Sequence, residues 1–358
     1  MKKFTGFEHG MGIGGWLTNY KRFHVIPENM RMHITVGDME HFAEYISERD
    51  IEYIANLGMD HVRLGFDQIV LEKSPYEYRE EIFALLDRFV SWCRKYGLNM
   101  VFNLHKAIGN YCDIGEEVGL LDSAELQDRF VALWLEFERR YAHENSIAFE
   151  ILNEVVDVEP KKWNDLAERT LTELRKRNRE RKIIIGCTCW NSPSKLPLLR
   201  LYDDENVIYT FHTYEPFDFT HQQGVLQMRQ IYFNRKMPYP CDDIQRYRDL
   251  KGKDSYPGFD KIDIEYLRHT IAPAVEFTRQ HPDKILWCGE FGTIRHANIK
   301  WRENWMRDMI TLLKQYEIPY CVWNYLSTPN DGNRFSLVDD DNRKILSDEM
   351  ARIIRGEF

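Results

Sequence analysis

"IAFEILNEVV", residues 147–156, sets Ile147, Ala148, Phe149, Ile151 and Leu152 in one nearly unbroken apolar run that ends in Asn153 and Glu154. A strand with one wet face alternates apolar and polar residues. A run this continuous fits a strand buried on both faces, as in a parallel sheet covered by helices. Seven further runs have the same character: MGIGGWL (11–17), DHVRLGF (60–66), LNMVFNL (98–104), KIIIGCT (182–188), NVIYTFH (206–212), KILWCGE (284–290) and PYCVWNY (319–325). The segments between them have helical period. Ile82, Leu85, Leu86, Phe89, Val90 and Cys93 share one helical face, with Gly97 as the stop. Ile51, Ile54 and Leu57 precede Gly58 in the same way, Pro160 opens a helix with Trp163, Leu166, Ala167, Leu171 and Leu174 inward, and 300–316 forms another.

Eight strands alternating with helices predict an α/β fold, a (β/α)8 TIM barrel, as a single domain over 1–358. A doubly wound open sheet is the rival. Its phosphate-binding GxGxxG is absent: GMGIGG (10–15) has the wrong spacing and no helix follows. The strands starting at 206 and 284 lie too far apart for one loop and one helix, so an inserted subdomain is expected at 216–263, between strand 6 and its helix, on the active-site side.

The chain has 358 residues, 43% of them hydrophobic, and a formal net charge of −9. That balance argues against nucleic acid or an anionic membrane as partner. No stretch reaches the ~20 apolar residues of a membrane span. The first residues, MKKFTGFEHGMGIGG, lack the apolar core of a signal peptide, so the expectation is a cytoplasmic monomer, or a secreted one if a leader was removed. Seven cysteines, at 93, 112, 187, 189, 241, 288 and 321, lie mostly in apolar runs and read as reduced structural thiols.

Barrels of this kind carry their chemistry at the C-terminal ends of the strands. Those ends supply Arg63, His105, Asn153, Glu154, His212, Tyr214, Glu290 and Trp323. Two glutamates closing apolar strands, Glu154 and Glu290, stand out, because burying a carboxylate is costly unless it is used. A carboxyl pair at a barrel mouth suits glycoside hydrolysis, one group as proton donor and the other as nucleophile or base. Tyr214 and Arg63 near Glu290 favour its ionised, nucleophilic role. Glu154, beside the neutral Asn153, is expected to have the raised pKa of an acid/base.

Several of these residues also have a purely structural reading. Arg63 could tie strand 2 to a carboxylate, and His105 and His212 could be satisfied core histidines. Trp323 is expected to floor the pocket, whereas Trp16 and Trp190 divide between sugar platform and core, as do Phe217 and Phe219. No metal is expected: there is no HExxH, and the acidic stretch 330–342 does not fit a calcium loop.

With IAFEILNEVV, the blocks DHVRLGFD (60–67), NLHKAIG (103–109), VIYTFHTYEPF (207–217), WCGEFG (287–292) and VWNY (322–325) fall in the order of glycoside hydrolase family 5, clan A, which the chain resembles over nearly its whole length. The resemblance is nearest to bacterial endoglucanases with a subdomain after strand 6. It implies a retaining mechanism without a cofactor, Glu154 as acid/base and Glu290 as nucleophile. Arg63, His105, Asn153, His212, Tyr214 and Trp323 then hold the sugar at the cleavage subsite. Departures are Val155 where many relatives have Pro, Lys106 where His or Asn is common, and Ile108 in place of Pro. The expected activity is endo-β-1,4-glucanase (cellulase) action on a β-glucan polysaccharide or oligosaccharide. The alternatives are the same chemistry on mannan, xylan or mixed-linkage glucan, an exo-acting β-glucosidase, and a carbohydrate-binding barrel without turnover.

Overall fold

All eight apolar runs are strands, and they close into one parallel barrel. In a computed structural model, which describes residues 2–20, 33–111, 119–225, 236–245, 248, 256–329 and 331–358, the strands are β1 (His9–Leu17), β2 (His61–Asp67), β3 (Asn99–Lys106), β4 (Ile147–Glu150), β5 (Ile183–Gly186), β6 (Val207–Thr213), β7 (Ile285–Phe291) and β8 (Tyr320–Val322). Each pairs in parallel with its neighbour in sequence. The ring closes where His9, Gly10 and Met11 of β1 face Tyr320, Cys321 and Val322 of β8.

The helices follow the periodicity. α1 (Glu48–Asn56) and α2 (Glu80–Lys95) bury the faces expected of them, and α3 is Ala124–Tyr141. α4 (Pro160–Arg175) opens on its proline, where the missing N–H costs nothing. α5 (Ile299–Gln315) covers the barrel after β7. One connection departs from the pattern. After β5 the chain makes a 3-10 segment, Pro193–Leu198, because Pro193 and Pro197 deny it the donors of an α-helical ladder.

Two layers fill the barrel. At the N-terminal end Val101, Ala148, Ile184, Ile208, Ile285, Trp287 and Cys321 form a separate apolar cluster, plugged from below by Phe4 and Phe7. Above it the inward positions are charged or amide: Arg63, Asn103, Glu150, His212 and Glu290, all buried. The glycines of β1 make room at that level. A Cβ on Gly12 would come within 2.8 Å of the Trp323 ring, and one on Gly14 within 2.6 Å.

β4 is shorter than its apolar run: the ladder stops at Glu150. Beyond it Ile151 N–H still bonds Ile184 C=O at 3.1 Å and Asn153 N–H bonds Leu104 C=O at 2.8 Å. Those two bonds hold the peeled-away chain so that Asn153 and Glu154 lean over the mouth.

Of the insertion expected at 216–263, residues 226–235, 246–247 and 249–255 lie outside the described residues, as does Cys112. The described part begins with a short helix, Phe217–Thr220, and includes a bridge between Cys241 and Ile262. The His221 ring packs edge-on against Tyr214, and the Tyr239 hydroxyl donates to Asp308 on α5 at 2.8 Å. No helix among the described residues is long and apolar enough to cross a membrane.

Candidate active site

The site is organised by one arginine. Arg63, fully buried on β2, donates from Nε and Nη2 to the two oxygens of Glu150, at 2.6 and 3.0 Å. Its Nη1 donates to Glu290 Oε2 at 2.7 Å and its Nη2 to Asn153 Oδ1 at 2.5 Å. A planar fork with five donors can serve three acceptors at once, which a lysine cannot. The other Glu290 oxygen accepts from the Tyr214 hydroxyl at 2.5 Å. The structural reading of Arg63 and the functional one are therefore the same contact.

Glu154 faces His212. The Nδ1 of His212 lies 2.8 Å from Glu154 Oε1, and its Nε2 is 3.9 Å from Glu150 Oε1 and 3.3 Å from Asn191 Nδ2. A carboxylate oxygen of Glu154, one of Glu290 and a ring nitrogen of His212 all fall within 4.8 Å of one another. Glu154 and Glu290 thus meet across the mouth, from β4 and β7.

The electrostatics differ from residue to residue for identifiable reasons. Burial pushes the Glu154 pKa up and the Glu290 charge adds to it, against the opposing pull of His212 and Arg63. Burial alone would lower His212, but Glu290, Glu150 and Glu154 surround it and push it up to about 9. Glu150 is held below the usual carboxylate range, the Arg63 charge and His212 outweighing burial. His105 is driven well below the usual histidine value by burial, helped by Lys106, and is neutral. Burial and Glu290 push the Tyr214 hydroxyl far up. The arrangement sets a carboxyl whose proton affinity burial raises opposite one that accepts two hydrogen bonds.

Trp323 packs beside this cluster. Its ring stacks on His105, with centroids 5.3 Å apart and planes 12° from parallel, and the Arg63 guanidinium lies 6.0 Å from its centroid. His105 Nδ1 is 3.0 Å from Asn103 Oδ1. Trp190, at the end of the segment after β5, is 38% exposed beside the mouth residue Asn191.

One expectation is corrected. Trp16 is no platform: it is 1% exposed, its indole N–H donates to Phe42 C=O at 2.7 Å, and its ring packs on Phe89. An indole facing outward from β1 meets helices, not substrate. Lys106, the departure from the family pattern after β3, is buried. Its ammonium is buried against Thr18 Oγ1 at 3.3 Å and the Asn19 side-chain oxygen, at the end of β1. Asn19 in turn approaches His105 Nε2 at 3.4 Å, so Lys106 acts on the site through a neighbour.

One residue was overlooked. Glu150 lies inside the very run that decides the fold, yet it is the third carboxyl group around Arg63 and His212. The available signal was a charge in mid-strand, at a position whose parity matches the inward-facing Ala148.

Comparison with known proteins agrees with this geometry. The profile of the cellulase family, glycosyl hydrolase family 5, matches residues 23–328. Endoglucanase C of Acetivibrio thermocellus is 35% identical over 358 residues, covering 98% of each chain. Cellodextrinase A of Ruminococcus flavefaciens is 32% identical, covering 84% of this chain and 81% of its own. Among solved structures, Thermotoga maritima Cel5A, in a mutant form with cellobiose, superposes with a TM-score of 0.74 at 23% identity, over 98% of this chain and 97% of that one.

Proposed function

The chain belongs to the cellulase family, glycosyl hydrolase family 5, and from that premise we propose a retaining double displacement in which Glu290 is the nucleophile and Glu154 the acid/base. The activity is that of an endo-β-1,4-glucanase, a glycoside hydrolase acting on polysaccharide or oligosaccharide β-glucan.

The observation that carries the mechanism is the close approach of the two carboxyl groups, with oxygens within 4.8 Å. Retaining enzymes hold their carboxyls about 5–5.5 Å apart, whereas inverting ones leave roughly 6.5–9.5 Å for a water. The neighbours support the division of roles. Glu290 accepts from Arg63 and Tyr214, which fix both its oxygens for attack on the anomeric carbon. Burial and the Glu290 charge raise the Glu154 pKa, the direction a proton donor requires. Glu154 protonates the departing oxygen, then takes a proton from the water that releases the glycosyl-enzyme. Asn153, anchored by Arg63, offers its amide N–H to the sugar, and neutral His105, stacked on Trp323, lines the opposite wall. The described start of the insertion, with His221 packed on Tyr214, supports a part for 216–263 in one wall of the cleft. A monomer is part of this reading; among the described residues the exposed large apolar side chains are Val36, Tyr76, Trp190, Leu198, Leu201 and Phe358.

A panel of soluble polysaccharides assayed by reducing ends, with NMR of the first-formed anomer, tests this reading. Internal cleavage of β-1,4-glucan with β-anomer released first is expected; an α-anomer would remove Glu290 as nucleophile.

Trp190→Ala is expected to raise KM on polymer roughly fivefold to thirtyfold, the ~1–2 kcal/mol of a truncated aromatic contact. Because the indole is exposed, thermal stability and kcat on a small aryl glycoside should hold. Equal KM values on polymer for mutant and parent would make Trp190 a bystander.

A further inference from the structure

Three residues in a row between β5 and the 3-10 segment, Cys189, Trp190 and Asn191, hold left-handed backbone angles, with φ of 57, 54 and 54°. L-residues adopt that conformation at a cost, and a run of it persists only where its surroundings hold it. Here the surroundings are the chain that carries Glu154. Cys189 N–H bonds Val156 C=O at 3.3 Å and Trp190 N–H bonds Val155 C=O at 2.9 Å. The turn leaves Trp190 outside and carries Asn191, fully buried, into the mouth. There Asn191 Nδ2 donates to Asn153 C=O at 2.6 Å and lies 3.3 Å from His212 Nε2.

We propose that Asn191 is a positioning residue whose amide keeps Nε2 of His212 bare, so that the ring's hydrogen sits on Nδ1, is given to Glu154 Oε1, and leaves Oε2 to carry the proton for the departing oxygen. The proposal rests on the acid/base reading of Glu154.

The argument is one of donors and acceptors. A backbone carbonyl only accepts, so the bond to Asn153 C=O requires a hydrogen on the Asn191 atom that makes it. Turning the amide over would set two oxygens against each other at that distance. The orientation holds even though Asn191 Oδ1, packed over Gly186, has no partner among the described residues. The second hydrogen of Nδ2 then meets Nε2, which accepts it. A neutral imidazole that accepts at one nitrogen donates from the other. Nδ1, 2.8 Å from Glu154 Oε1, is that donor. The opposite tautomer would be idle: with its hydrogen on Nε2, the ring would accept the acid's proton at Nδ1 and turn it away from the sugar.

Charge alone favours a cation. Burial disfavours a second proton on the ring, while Glu290, Glu150 and Glu154 draw one towards it. That proton would have to sit on Nε2, facing an amide hydrogen. Glu150 Oε1, at 3.9 Å, is beyond hydrogen-bond reach, and both oxygens of Glu150 are already taken by Arg63 of β2. A cation there would also draw the proton off Glu154, which a bare Nε2 avoids. The other titratable neighbours do not change this balance. His105 of β3 is held neutral by burial and Lys106, whose own ammonium turns towards Thr18. Tyr214 after β6, Cys288 of β7 and Cys321 of β8 are held in their neutral forms by burial.

15N NMR of the unmodified enzyme at pH 7.5 reads the ring directly. His212, assigned by the signal lost in His212→Asn, should show a protonated Nδ1 and a bare Nε2. Hydrogens on both nitrogens, or on Nε2 alone, would overturn the proposal. Asn191→Gly deletes the amide and takes a φ of 54° freely, so the turn is kept. In that variant Nε2 can take the proton that the carboxyl groups draw, and both ring nitrogens should be protonated at the same pH. The alkaline limb of kcat/KM should then move down by about one unit or more, the scale of a new positive charge beside Glu154. A loss of rate with ring and limb unmoved would make the amide a structural prop and overturn the proposal. Should the variant not fold, the spectrum of the unmodified enzyme decides alone. Azide rescue tests the acid/base role separately, by the anomer formed, so the two readings fail independently.

Discussion

In Glu290→Ala, azide should attack an activated β-glycoside from the vacated α face and yield the α-azide, while in Glu154→Ala it should yield the β-azide. Both variants should lose most turnover on polymer, since acid/base assistance alone is worth ~10²–10⁴-fold and the nucleophilic route adds to it. The divergence follows from what each leaves intact. Glu154→Ala keeps the nucleophile held by Arg63 and Tyr214. A leaving group that needs no protonation still departs, the glycosyl-enzyme accumulates without a base for water, and azide displaces it with net retention. Glu290→Ala keeps the acid but has no covalent route, so azide takes the place of the carboxylate in a single inversion. NMR of the products reads the result, and α-azide from Glu154→Ala would mean the roles are reversed.

Arg63→Met is expected to cost about 3–5 kcal/mol of stability in denaturant titration, the penalty for stripping the partner from a buried charge. It removes four hydrogen bonds together, two to Glu150 and one each to Glu290 and Asn153. Two buried carboxylates then face each other without their cation. kcat should fall by at least ~100-fold, the scale of losing one preorganised donor at a site of developing charge. Arg63→Lys should rescue little, because a single ammonium cannot chelate Glu150 and still reach Glu290. Restoration of parent-like kcat by lysine would show that charge alone, not the fork, is what the site needs.

Most of the barrel was legible because its strands are buried on both faces, which writes them into the sequence as apolar runs with little ambiguity. Strand ends were legible for the same reason: the residue at which a run turns polar is the residue at the mouth, and Asn153, Glu154 and Glu290 were found that way. Glu150 was not, because the upper barrel interior is itself polar, and the same parity that puts Ala148 in the apolar layer puts Glu150 in the charged one. Trp16 failed in the opposite sense. A tryptophan near the end of β1 has two faces to choose between, and only the packing of Phe42 and Phe89 decides it.

The ring closes between β1 and β8, and Trp323, which stacks on His105, follows directly on β8. The bond between Arg63 and Glu290 joins residues 227 positions apart. The ribosome therefore releases Glu154 with its β4 neighbours long before the nucleophile or Trp323 has been synthesised. No growing chain holds a partial activity that improves with length. The two carboxyls and Trp323 can come together only after β8 has been made, so turnover in a cell-free translation reaction is expected to lag behind synthesis of β4.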